Sequence, residues 1–163
     1  MESLARESVV PKIDPTEAPV RVGTGYPAPF DEPCLNRHIR SVGDAGGLTQ
    51  FGAHVITLPP GVWSSQRHWH SHEDELVYIM SGHPTLIDDA GEQILSPGDF
   101  TAHPGGDANG HHMINQTDDD VVYLVIGTRA PEKDSGHYPD IDLAIPANGT
   151  SKRIFVRKDG SGF

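Results

Sequence analysis

Turn residues cut this chain into short apolar runs from Arg37 to Thr128, and that punctuation leaves little room for anything but strands. The runs "RHIRSV", "LTQFGAHVITL", "ELVYIM", "TLI", "QIL", "FTAH", "HHMIN" and "VVYLVIGT" alternate with "GDAGG", "PPG", "SGHP", "DDAGE", "SPGD", "PGGDANG" and "QTDDD". Most runs are too short for a helix with a buried face, and 18 glycines and 14 prolines interrupt the rest. An all-β class follows, and strands at such spacing predict a sandwich or barrel. "DDAGE", between two alternating runs, predicts a hairpin.

The flanks read differently. Residues 1–36 form an extended arm, because Pro11, Pro15, Pro19, Pro27, Pro29 and Pro33 remove donors and forbid regular helix. Residues 37–130 hold the strands. Residues 131–163 are a polar, irregular extension that packs on or pairs with them, with "RIFVR" as one possible strand. At 163 residues a single core is expected. The net charge of −11 argues against tracking a phosphate backbone, so nucleic acid is not an expected partner. No run of about 18 apolar residues exists to cross a membrane, "MESLARESVVPK" lacks an apolar leader, and the lone Cys34 suits a reducing compartment. A cytoplasmic protein is expected.

The most polar stretch, "RHWHSHEDELVYIMSG" from Arg67, lies hard against an apolar strand. On a strand His68 and His70 share a face, with Cα atoms about 6.6 Å apart, so both imidazoles can reach one ion. Trp69 faces the other way. Glu75 has the wrong parity for an unbroken strand, so the chain must turn through "SHED" before Glu75 opens the next one. Beyond Glu75 both faces of that strand are apolar, which predicts burial on both sides. A carboxylate at its mouth is costly without a partner, and a cation held by neutral histidines is one. His70, His72 and Asp74 share parity too, but as ligands they would need the strand to continue through its most polar residues.

Gly61, His68, His70, Glu75 and Gly82 resemble the first signature of the cupin superfamily: a glycine, His-x-His, four residues, Glu, six residues, Gly, with one residue extra after Gly61. "GDFTAHPGGDANGHHMIN" is similar to the second, with Gly98, Pro104 and Gly106 at family spacing and the family's three-residue gap from His111 to Asn115. Two extra residues between Gly106 and His111 place a wider loop beside the site and leave His111 and His112 as competing ligands. The resemblance implies a double-stranded β-helix, the cupin jelly-roll barrel, holding one divalent ion (Fe, Mn, Zn or Ni) on His68, His70, Glu75 and His111.

Such an ion keeps open positions, as catalysis requires. Gln66 and Met113 share parity with His68 and His111 and, with Val77, are expected to line a substrate pocket. The reading is a metal-dependent enzyme of dioxygenase or isomerase/lyase type acting on a small organic molecule, with Glu75 as the catalytic carboxylate. The alternative is a non-catalytic sensor of a small metabolite. His38, His54, His83, His103 and His137 read as surface or packing residues. A homodimer is expected, with the arm crossing to a two-fold partner, because an uncovered sheet edge is a liability.

Overall fold

A computed structural model describes residues 12–150 and 152–163; residues 1–11 of the expected arm and residue 151 lie outside the described residues. In chain order the strands are β1 (Val20–Val22), β2 (His38–Arg40), β3 (Phe51–Leu58), β4 (Trp69–His70), β5 (Glu75–Ser81) and β6 (Thr85–Asp88). They continue with β7 (Gly91–Ile94), β8 (Phe100–His103), β9 (His112–Ile114), β10 (Val121–Thr128), β11 (Gly136–His137) and β12 (Ala144–Ile145). "GDAGG" contributes to a one-turn helix, α1 (Val42–Ala45), and helix is otherwise confined to a 3₁₀ turn at Glu32–Cys34 among the described residues.

Period-two alternation makes β3 and β10 the centre of an antiparallel sheet ordered β1–β2–β3–β10–β5–β8. Ile56, Leu58, Val77, Ile79, Val121 and Tyr123 point inward from it and pack against Leu86 and Met113 of a second sheet, β7–β6–β9. Each fully buried aliphatic side chain contributes roughly 1.5–3 kcal/mol, so this single inter-sheet layer is the main source of stability. The expected hairpin is present: Asp88 pairs with Gly91, and the Ala90 amide donates to Asp88 Oδ1 at 2.8 Å. Gly82 ends β5 with φ of +78°, and a Cβ there would stand 2.7 Å from the Asp120 carbonyl oxygen. Only glycine lets that turn pass so close to the start of β10.

Two expectations are corrected. The sheets do not close into a double-stranded β-helix barrel; the architecture is all-β with jelly-roll-like sheets that remain separate. Where a closing ladder would run, Pro59 and Pro60 remove two donors and "VWSSQ" bends. Pairing there shrinks to single bridges, Trp63 to Ile114 and His68 to His111. Nor is β5 buried on both sides: Val77 and Ile79 are buried, but Leu76 is 40% and Met80 48% exposed. Apart from α1, which packs on Ala53, the outer face of the large sheet has little over it among the described residues, and Val55, Val122, Leu124 and Ile126, expected in the core, are only half-buried there. Ile94 is exposed as well.

The C-terminal residues form the third sheet, β12–β11–β4. Tyr138, Leu143 and Ile145 are buried together, packed against Tyr26, Phe30 and Phe155. "RIFVR" gives only single bridges from Val156 to Ala144 and Gly162. At the other end, Val20–Val22 pairs with His38–Arg40 as an edge strand.

Candidate metal centre

Strand ends converge on one place. His68 precedes β4, His70 ends it, Glu75 opens β5, His103 ends β8, and His111 precedes β9. Glu75 stands opposite His103 across the β5–β8 ladder, and His68 opposite His111 through their bridge. Arg67 fixes the approach to β4: its guanidinium forks onto Asp140, with 2.7 and 2.8 Å contacts, and also pairs with Asp89 in the hairpin turn. These half-exposed pairs add little stability, but they fix the backbone from which His68 projects.

His68, Glu75 and His111 each offer an atom within 4.8 Å of the others. The His68 Nδ1–H donates to the Gln66 carbonyl oxygen at 2.9 Å. Since a carbonyl only accepts, the proton sits on Nδ1 and Nε2 carries a free lone pair. His111 Nε2 is buried without a hydrogen-bond partner and lies 3.5 Å from Glu75 Oε1. An orphaned buried nitrogen facing a carboxylate is an arrangement that suits a bound cation. His70 stands slightly apart. Its ring is 5.0 Å from that of His68, but its donor atoms group with Glu73 and Asp134, and its Nδ1 donates to Asp134 Oδ2 at 2.7 Å. Three imidazoles and one carboxylate suit a borderline divalent ion such as iron, manganese, nickel or zinc.

The electrostatics agree. Burial, with the nearby His70 and His111, pushes His68 well below the ordinary histidine value, so its ring is neutral. Burial pushes Glu75 up, but the contact with His111 outweighs it and holds the carboxyl below the usual range. Glu75 is therefore ionised near neutral pH. Burial, then His111, lowers His103 to about 4. That ring lies flat on His111, centroids 3.4 Å apart.

A cavity of about 1050 Å³ opens over this cluster, with Val77 and Met113 in its wall. Gln66 does not line it; its amide is buried and donates to the Phe30 carbonyl at 2.8 Å. His112 bonds the Ser65 carbonyl oxygen and lies edge-on to Trp63, outside the ligand cluster. The alternative set of His70, His72 and Asp74 is not assembled: His72 bonds Ser71 and Asp74 accepts from the Gly105 amide. The wider loop after Gly106 is clamped to the hairpin, its Asn109 amide reaching Asp88 and its Asn109 Oδ1 accepting from the Asp89 amide. Sequence reasoning missed His103 and Asp134. His103 shares strand parity with Thr101 and could have been aligned with Glu75; Asp134 lies in a segment without periodicity.

The profile of the family described as "Cupin domain" matches residues 54–127. Among solved structures, a sugar phosphate isomerase from a cupin superfamily of Silicibacter pomeroyi is 41% identical, with a TM-score of 0.88 over 94% of this chain and 96% of that one. A protein provisionally described as a sugar phosphate isomerase, from Acidithiobacillus ferrooxidans, is 34% identical, with a TM-score of 0.69 over 76% and 78%. The polyketide cyclase RemF of Streptomyces resistomycificus is 18% identical, with a TM-score of 0.59 over 74% and 80%, a likeness of fold alone. No curated protein matches. No helix among the described residues is long and apolar enough to cross a membrane. The paired signatures, the matched profile and a relative similar over nearly its whole length agree that this chain belongs to the cupin superfamily.

Proposed function

We propose that this protein is a metal-dependent isomerase that interconverts aldose and ketose forms of a small phosphorylated sugar. The observation that carries the reading is the His68–Glu75–His111 cluster at the floor of a cavity large enough for such a molecule. The sugar phosphate isomerase and the protein provisionally described as one among its relatives favour this chemistry over a dioxygenase. His68, His70, Glu75 and His111 would hold the ion, which when bound supplies Lewis acidity to adjacent substrate oxygens. Glu75, ionised, takes the proton from the carbon beside the carbonyl and returns it to the neighbouring carbon. His103, neutral and beside the site, relays the hydroxyl proton between the two oxygens. Val77 and Met113 exclude water from one side.

Two copies associate, in this reading, through the outer face of the large sheet. Leu76, Tyr78, Met80, Phe100, Leu124 and Ile126 share that face by register and none is charged, so at these positions a second copy brings no like charges into contact.

The test is interconversion of aldose and ketose phosphates by the manganese, iron, nickel and zinc forms. Activity that vanishes with chelator and in Glu75→Gln supports the proposal. Saturable binding without turnover in every metal form would replace it with a metabolite sensor.

A further inference from the structure

Arg21, Arg37 and Arg153 line the same cavity as His68, Glu75 and His111. They come from three separate segments: β1, the approach to β2, and the C-terminal residues. The chain has 12 basic and 23 acidic residues, yet none of these three arginines has a carboxylate partner among the described residues. The carboxylates bonded to arginine go to Arg67 and Arg129 instead. Arg37 is anchored by one bond from Nη1 to the Ser64 carbonyl, and its Nε is buried with no partner. Burial, with Arg37 and Arg153 nearby, lowers the Arg21 guanidinium below its ordinary value.

Bringing like charges together in an acidic protein is unfavourable unless an anion joins them. Guanidinium groups present paired donors that match the oxygens of a phosphate. We infer that Arg21, Arg37 and Arg153 form the grip for the substrate's phosphate group, with Arg37 at its centre. The inference rests on the proposal that this cavity is the substrate site, and it assigns recognition to residues outside the matched segment 54–127. The strand ends around the ion do the chemistry, and the flanking segments choose a phosphorylated substrate. Tyr26 and Phe155, rings 5.2 Å apart, line the cavity beside the arginines and offer an apolar wall to the carbon skeleton.

The experiment is calorimetric titration of the full chain with inorganic phosphate, a pentose 5-phosphate and the same pentose without phosphate. Saturable phosphate binding is expected, weakened about tenfold or more by Arg37→Met and by smaller factors in Arg21→Met and Arg153→Met. The pentose 5-phosphate should bind at least about tenfold tighter than the plain pentose. Because Arg37 anchors Ser64, Arg153→Met, at an exposed position, serves as the variant least able to disturb the fold. Binding of phosphate should persist in His68→Ala. Absence of phosphate binding, wild-type affinity in all three arginine variants, or loss of binding in His68→Ala alone would overturn the inference. If turnover fails in every metal form while the arginine-dependent phosphate binding holds, the isomerase proposal falls and the grip stands.

Discussion

Asp134 accepts a 2.7 Å hydrogen bond from Nδ1 of His70, and its other oxygen accepts the amides of His72 and Glu73 at 2.9 and 3.1 Å. One carboxylate thus fixes the tautomer and rotation of a ring at the centre and the backbone turn that follows it. The contact is shielded, with both side chains about nine-tenths buried. Contacts with His70, His72 and Glu73 outweigh burial and hold the Asp134 carboxyl down at about 2, so it is ionised wherever an ion would bind.

Asp134→Ala should therefore weaken metal binding by about 10- to 100-fold while leaving the large sheet folded. Equilibrium dialysis against zinc or manganese measures the first and circular dichroism the second. Wild-type affinity in the variant would show that His70 is oriented without it.

The two adjacent histidines at the start of β9 separate cleanly. His111 carries the orphaned nitrogen, whereas His112 is bonded to Ser65 and packed on Trp63. His111→Ala should remove bound metal, and His112→Ala should keep it at a cost to stability of about 1–3 kcal/mol from lost packing and a freed carbonyl. Metal analysis of both purified proteins decides between them; the reverse pattern would reassign the ligand.

The outer apolar face predicts oligomeric state. Phe100 is 63% exposed and its ring lies 4.6 Å from that of Tyr78. Phe100→Glu should convert a dimer into a monomer in sedimentation velocity without loss of fold, because a charge placed against its own two-fold mate repels. A wild-type protein that sediments as a monomer at every concentration would remove the interface.

Cys34 predicts an alkaline limit. It is fully buried, and burial pushes its thiol up to about 11, with Arg37 opposing weakly. The unfolded thiol ionises from about pH 8.5, the folded one only near pH 11. Between those values the unfolded state loses its proton first, so stability falls as pH rises, by about 3 kcal/mol in all. Denaturant midpoints from pH 8 to 11 should fall in wild type and stay flatter in Cys34→Ala. Below pH 8 the thiol should resist thiol reagents until the protein unfolds.

The elements readable in the sequence were those with strong local signals. "FTAH" and "VVYLVIGT" coincide with β8 and β10, and the "DDAGE" turn joins β6 to β7, because alternation and turn chemistry act over a few residues. Closure was not readable: whether strand ends meet depends on how "PPGVWSSQ" bends, and no periodicity encodes that. Leu76 and Met80 looked like core because apolar content does not say which face has a layer over it. At the site, the spacing that brings His68 and Glu75 together is local. Asp134 and the three arginines act across the fold, where one sequence carries no signal of who meets whom.

The 64-residue separation between His70 and Asp134 has a kinetic side. A loop of that length must close before the short β4–β11 ladder gives anything back, since each strand contributes only two residues. The β3–β10 ladder of the large sheet closes a comparable separation but is repaid by eight residue pairs against two, so the segment that completes the ion's surroundings should be the last to dock. The same asymmetry makes it the first to lift off. Hydrogen exchange should find the Ser71 amide, bonded to the Ser135 carbonyl at 2.9 Å, opening sooner than the amides of β10. An ion bridging His70 to β5 and β9 would act as a latch, slowing that opening and sparing the tail from proteases without altering the sheet beneath it.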